Sequence, residues 1–237
     1  MRGDLSGRLG NVTTAPSVLE RELFTETEAA RLLGLPAATL HYWLEGGERR
    51  GVQYDPIIRS EPVGRRTVSW AEFIEAGWLS AYRRRKQIPM SQLRTFIGVL
   101  RSEFGIPYPL AHSKPWVSGR TLVLRAQEEA GLAPEFQVVS SVGDQLMLTY
   151  AGGVFLERVV WDGDVAAGWK PHSADSPVEV RPDVRFGRPA VAGISTVSIF
   201  EQAEDGASAD ELATDFGISI SEVRWALSYE EQRHAAA

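Results

Sequence analysis

Residues 24–46, FTETEAARLLGLPAATLHYWLEG, decide how the rest of the chain is read. Thr25 is placed to cap a helix with its hydroxyl, and Glu28 stands three residues on to complete a capping box. Ala29, Ala30, Leu32 and Leu33 then form one apolar face at helical spacing. Gly34 supplies the left-handed residue that ends a helix, and Pro36 opens the next one at a position where its missing N–H costs nothing. Leu40, Trp43 and Leu44 mark the buried side of that second helix, leaving Ala37, Thr39, His41 and Tyr42 on the other. This is the layout of a DNA-reading helix-turn-helix, whose second helix offers small and polar residues to a groove. An ordinary αα-hairpin shares it, so the flanking sequence has to choose.

Charge makes the first choice. The 237 residues carry a formal charge of −6, but residues 1–115 hold 16 Lys and Arg against 12 Asp and Glu, and the remainder holds 9 against 19. A basic first half that meets phosphates and an acidic second half with another task is the expected division. Cysteine is absent, which excludes disulfides and thiolate metal sites. The first residues lack the apolar core of a secretory signal, and no run of 18 apolar residues occurs, so a cytoplasmic protein with no membrane span is expected.

Residues 1–20 read as a flexible tail. After the helix pair, Ile57 and Ile58 suggest one strand and residues 65–68 another, with Glu61-Pro62-Val63-Gly64 as the turn: a wing carrying Arg59, Arg65 and Arg66 toward phosphates. A solvated surface hairpin would look the same. Ser69 is expected to cap WAEFIEAGWLSAYRRRKQ, with Phe73, Ile74, Trp78, Leu79 and Tyr82 on one face. The basic run at its end, residues 83–86, suits either a solvated helix end or a phosphate contact. Pro89 interrupts, and a further helix begins at Ser91 and closes at Gly105.

As an ordered set, residues 24–105 resemble the N-terminal domain of the MerR family of winged-helix regulators. The carrying residues are Thr39-Leu40-His41-Tyr42-Trp43, Arg66-Thr67-Val68-Ser69 and Pro89-Met90-Ser91. The resemblance implies that Tyr42 and Arg66 touch the DNA backbone. His41 stands where the family normally has arginine, which removes a permanent cation.

Residues 111–176 are expected to form a small antiparallel sheet with helix. A strand is read over 121–124, a short helix over 124–131, and strands over 136–142, 145–150 and 154–160, separated by Gly143-Asp144 and Ala151-Gly152-Gly153. Trp116, Trp161 and Trp169 flank this module as packing residues or as the walls of a ligand pocket. Asp162 and Asp164 bracket a glycine in a tight turn and lack the neighbours of a metal site.

From residue 177 the pattern turns mostly helical: short strands near 178–180 and 188–191, a helix over 197–204, and a second helix-turn-helix-like pair capped by Ser208 and Ser221. The residues Pro182, Phe186-Gly187-Arg188-Pro189, Gly193, Gly206-Ala207-Ser208 and residues 223–229 (VRWALSY) resemble a short domain found in antitoxins of VapB type. Gly193-Ile194-Ser195 replaces the usual Gly-Thr-Arg, so an arginine is missing.

The fold class that emerges is α+β and multidomain. It comprises a MerR-like winged head over 21–110, a small α/β module over 111–176, and a C-terminal domain over 177–237 for dimerisation and toxin binding. The combined resemblance implies a homodimeric antitoxin that represses its own operon on operator DNA and captures a PIN-fold ribonuclease toxin. Thr39, His41, Tyr42, Arg59, Arg65 and Arg66 are the candidate DNA contacts. Arg224 and Arg233 are the candidate toxin contacts, aimed at the carboxylates of such a nuclease. The alternative is a MerR-like regulator sensing a small ligand through the central module, against which Pro107 and Pro109 count, because they stop the long dimerising helix such sensors use. No catalytic residue, metal or cofactor is expected: the four histidines are scattered, and no phosphate loop or nucleophile elbow occurs.

Overall fold

The structure is a computed structural model and describes residues 17–85, 88–142 and 145–235. Residues 1–16 of the expected tail, Lys86 of the basic run and the Gly143-Asp144 turn lie outside the described residues, as do the side chains of residues 83–85.

A short 3-10 turn, Val18–Glu20, leads into β1 (Glu22–Thr25), α1 (Glu26–Leu33) and α2 (Ala37–Glu45). The head continues with β2 (Gly47–Arg49), β3 (Val52–Tyr54), β4 (Thr67–Ser69), α3 (Trp70–Arg85) and α4 (Met90–Phe104). The middle contains α5 (Lys114–Val117), α6 (Arg120–Glu129), β5 (Val139–Val142), β6 (Gln145–Leu148), α7 (Tyr150–Leu156), β7 (Val159–Asp162) and β8 (Val165–Trp169). The chain ends with β9 (Ala190–Val191), β10 (Ile194–Ser195), α8 (Thr196–Glu204), α9 (Ala209–Phe216) and α10 (Ile220–Ala235). Mixed helices and two-stranded antiparallel sheets make the fold α+β.

Local chemistry explains the first helices. Thr25 Oγ1 accepts from Glu28 N at 3.2 Å while Glu28 Oε2 accepts from Thr25 N at 2.8 Å, closing the capping box. The Thr25 backbone N–H and hydroxyl both donate to the Glu28 carboxylate, and these two hydrogen bonds hold its pKa below the ordinary carboxylate value. Gly34 takes φ 61°, ψ 43° and ends α1.

The strands of the head depart from expectation. Ile57 and Ile58 are buried in the core rather than in a wing strand, and both of their N–H groups donate to Trp43 O, at 2.9 and 3.0 Å. Two adjacent isoleucines in a half-exposed hairpin would have to point to opposite faces, leaving one in water. The hairpin instead lies earlier, β2 against β3, turning through Arg50 and Gly51 at φ 54° and 77°. β4 pairs with β1, so the expected second wing strand closes the head onto its own beginning.

α3 is the axis of the molecule. The sequence marks one apolar face, yet every residue from Trp70 to Ser80 is buried, Glu72 and Glu75 included. It meets α1 at Gly77 and α4 through Trp78 and Phe96, and the central module packs on it too, with Trp116 stacked on Trp78, Trp169 against Phe73, and Ala166 O accepting from Trp70 Nε1 at 2.6 Å. Gly77 makes the closest crossing: a Cβ there would sit 2.8 Å from the Phe155 ring on α7. One continuous apolar core therefore runs from Leu19 through Trp169 and Val180, across the expected boundary at 110/111, while the C-terminal helices have a second core around Ile199, Leu212 and Val223.

Three further expectations are corrected. Residues 121–124 belong to α6, because Val123, Ala126 and Gln127 are the buried positions and follow a helical period. Residues 154–156 end α7 rather than starting a strand. The cap of α10 is Ser219, not Ser221: Ser219 Oγ accepts from Glu222 N at 3.2 Å, and Glu222 Oε2 accepts from Ser219 N at 2.8 Å.

Candidate nucleic-acid interface

α2 presents the face that its sequence spacing predicts. Leu40, Trp43 and Leu44 are buried, Ala37 and Ala38 are exposed, and Thr39, His41 and Tyr42 are half-buried on the outer side. Glu26, itself only 5 % exposed, ties this face to the strand that follows the loop. Its Oε1 lies 3.0 Å from His41 Nδ1 and its Oε2 2.9 Å from Arg66 Nη1, with 3.3 Å between His41 and Arg66. His41 and Arg66 are thus held side by side, and 74 % of the Arg66 side chain remains in solvent.

The hairpin adds two cations that the sequence reading did not nominate. Arg49 lies over the Tyr42 ring, 3.8 Å from its centroid, a distance at which the guanidinium is attracted to the π face. Arg50 occupies the exposed turn beside Gly51. Among the described residues no carboxylate comes within ion-pair distance of either. Arg65 is exposed but paired with Glu22. The available signal for Arg49 and Arg50 was the alternation in GERRGVQY around an Arg-Gly dipeptide, weaker than an Asn-Gly turn.

Arg59 corrects the expectation of a DNA contact. It is 4 % exposed and serves as a brace. Nε donates to Glu72 Oε1 at 2.7 Å, Nη2 to Glu72 Oε2 at 3.1 Å and to Thr67 O at 2.8 Å, and Nη1 to Glu45. Burial opposes its charge, but the carboxylates of Glu72 and Glu45 outweigh that and raise its pKa. Glu45 Oε2 in turn accepts from the N–H groups of Val63 and Gly64, at 2.9 and 2.8 Å. The brace fixes the 59–66 loop and so the position from which Arg65 and Arg66 reach out.

Arg224 and Arg233 are not brought together. Nine residues of α-helix amount to two and a half turns, which puts them on opposite faces of α10 about 13 Å apart along the axis. Arg224 is exposed; Arg233 pairs at 3.2 Å with Glu230, which is fully buried and also accepts from Thr196 Oγ1. Asp164, considered for a metal, accepts from Ser113 Oγ and Lys114 N at 2.8 Å each, and so tethers the start of α5. Among the described residues no group of three His, Cys, Asp or Glu is arranged to hold a metal ion, and no helix is long and apolar enough to cross a membrane.

An α+β chain with a helix pair, a basic hairpin and a separate C-terminal helical core is the class these features define. No protein-family model matches it. The chain belongs to the same family as the Mycobacterium tuberculosis protein described as "Uncharacterized protein Rv2308", with which it is 31 % identical over 247 aligned residues, 100 % of this chain and 98 % of the relative. A more distant relative from the same organism is described as "Putative antitoxin VapB45", 28 % identical over 222 residues, or 86 % of this chain and 92 % of that one. The fold is shared with the crystal structure of Rv2018 from Mycobacterium tuberculosis, at a TM-score of 0.71 over 88 % of this chain and 99 % of that one, with 24 % identity.

Proposed function

We propose that this chain is the antitoxin of a type II toxin–antitoxin pair. In this reading it acts in the cytoplasm as a homodimer, binds and inhibits a PIN-fold ribonuclease toxin, and represses its own operon. The observation that carries the reading is the similarity to the relative described as an antitoxin, which extends over most of both chains.

The head is assigned to operator DNA as a MerR-like winged helix-turn-helix. α2 enters the groove with Thr39, His41 and Tyr42, and Arg49, Arg50, Arg65 and Arg66 contact phosphates on either side of it. Two of these four guanidinium groups are matched by Glu22 and Glu26, which leaves the hairpin pair as the main attraction. The C-terminal helices are assigned to toxin capture, for which the exposed Arg224 remains a candidate and Arg233, engaged with Glu230, is the weaker one.

The test is co-expression with the adjacent reading frame, followed by gel-shift on the gene's own upstream DNA. A stable complex, rescue from the neighbour's toxicity and a shifted operator support the reading. No complex and no rescue would sink the toxin half; no shift at low salt would sink the operator half.

A further inference from the structure

The contacts of Glu26 decide which nitrogen of His41 carries the ring proton. His41 Nδ1 lies 3.0 Å from Glu26 Oε1 and 3.3 Å from Arg66 Nη1. A guanidinium has only donors, so Nδ1 could meet Arg66 as an acceptor alone. A bare Nδ1 would then set its lone pair against a carboxylate oxygen 3.0 Å away, beside a buried group where such repulsion is poorly screened. A protonated Nδ1 instead donates to Oε1, while Arg66 Nη1 donates to Glu26 Oε2 at 2.9 Å. That arrangement pairs all three side chains and leaves the 3.3 Å as the spacing of two donors on one carboxylate. Glu26 thus selects the Nδ1–H tautomer.

A neutral imidazole with its proton on Nδ1 has a bare Nε2, which can only accept. Nε2 makes no hydrogen bond among the described residues and is not sealed from water, and 38 % of the side chain is exposed. The ring therefore offers solvent a lone pair of fixed character. α2 has few rivals to it. Its sequence, AATLHYWLE, holds no lysine or arginine, and Leu40, Trp43 and Leu44 are buried. Ala37 and Ala38 are exposed and small, which lets the helix approach a surface closely. The Tyr42 ring lies under Arg49, and the Thr39 hydroxyl donates or accepts as its neighbour requires. His41, one turn on from Ala37, is the group on this face with a single hydrogen-bonding sense.

We propose that His41 is a specificity-determining residue whose Nε2 accepts from an exocyclic amino group, adenine N6 or cytosine N4, in the major groove of duplex DNA. Guanine and thymine present O6 and O4 acceptors there, which would meet Nε2 lone pair to lone pair. An arginine in this place, with donors only, would favour guanine; a histidine held by Glu26 inverts that preference. The base contact rests on the reading of α2 as the operator-reading helix, whereas the tautomer rests on the Glu26 contacts alone.

Two measurements on the full chain at pH 8 test the two parts. In long-range ¹H–¹⁵N spectra, with the His41 signals identified by their loss in His41→Ala, Nδ1 should be protonated and Nε2 bare. The opposite tautomer, or a mixture of both, overturns the proposal. Duplexes selected from a randomised pool should carry one position where adenine or cytosine is enriched by the wild type and not by His41→Ala. Purine in place of that adenine, or 2-pyrimidinone in place of that cytosine, deletes the amino group. The deletion should weaken wild-type binding about three- to tenfold and leave His41→Ala binding unchanged. A neutral acceptor releases no counterion, so log affinity against log salt should have the same slope in both proteins. A shallower slope in His41→Ala would make His41 a phosphate-binding cation, and an equal loss in both proteins would give the amino contact to another residue; either result overturns the proposal. A selected motif that His41→Ala reproduces in full sinks the base contact and spares the operator reading. Selection of no duplex sinks both, and the spectra still report the tautomer.

Discussion

Glu75 offers the sharpest test of how α3 is buried. Its side chain is fully enclosed; Oε1 accepts from Leu110 N at 3.0 Å, and Oε2 lies 3.9 Å from Arg101 Nη2. Burial pushes its pKa from 4.5 up to about 8, against the opposing pull of Arg101 and the Leu110 N–H. The folded chain therefore keeps this proton over a range in which the unfolded chain has released it. Stability is highest below pH 4.5 as far as this group is concerned, and it falls as pH rises toward 8, by up to about 1.4 kcal/mol per pH unit. Over the whole interval the loss is about 3–5 kcal/mol. Glu75→Gln removes the proton while keeping an oxygen for Leu110, and Arg101 retains the carbonyls of Pro107 and Ile58, at 2.7 Å each. Urea unfolding at pH 5, 6, 7 and 8 reads the effect as the difference between the two proteins, in which every group they share cancels. The variant should gain on the wild type by about 1 kcal/mol per pH unit. Parallel curves would refute the buried neutral carboxyl, and a variant that loses ground as pH rises would reverse its sign.

Four other outcomes follow from particular contacts. Arg59→Met leaves the buried Glu45 and Glu72 without their cation and should cost about 3–5 kcal/mol by chemical denaturation, whereas an arginine that met only DNA would change stability little. Replacing Arg49 and Arg50 together by Gln should weaken operator binding in gel-shift with unchanged Tm, and flatten the plot of log affinity against log salt by about two phosphate contacts. Gly187→Ala adds a Cβ at φ 74°, 2.6 Å from the Phe24 ring, so strain and overpacking should together destabilise the chain by about 2–4 kcal/mol in thermal unfolding. Ser219→Ala should cost about 1 kcal/mol and Ser221→Ala close to nothing, a pair that separates the observed cap of α10 from the expected one.

What could be read from sequence was what neighbouring residues decide among themselves. The Thr25–Glu28 and Ser208–Glu211 boxes and the left-handed Gly34, Gly105 and Gly217 lie within a few residues of the helices they delimit. What could not be read depended on a distant partner. Residues 121–124 and 154–156 are short apolar runs that suit a strand or a buried helix equally; the contact of Phe155 with Gly77 settles the second as a helix packed on α3. The one-sided pattern of α3 gave no hint that residues 155–169 would pack on it as well. At the interface, the outer face of α2 was legible because helical period alone defines it. Arg59 was misread because its partners stand 13 and 14 residues away on either side, and a cation in a basic segment reads the same whether it faces a phosphate or a buried carboxylate.

That misreading shows how the interface is held. The loop bearing Arg65 and Arg66 is not one arm of a free hairpin. Its N-terminal end is anchored through Arg59 to Glu72 on α3 and to Glu45 on α2, and Arg66 leads into β4, paired with β1. The outer face of α2 and the flanking arginines therefore move with α1 and α3 or not at all. α1 is only eight residues long, about 12 Å. At its first residue Glu26 holds His41 and Arg66, and at its other end Leu33 packs close to Gly77 of α3. A displacement of α1 must reach Glu26, because the helix has no glycine or proline at which to bend. The His41–Glu26–Arg66 cluster is the first part of this face that such a displacement would alter, so any change in how α1 packs on α3 reaches Arg66 through a single buried carboxylate.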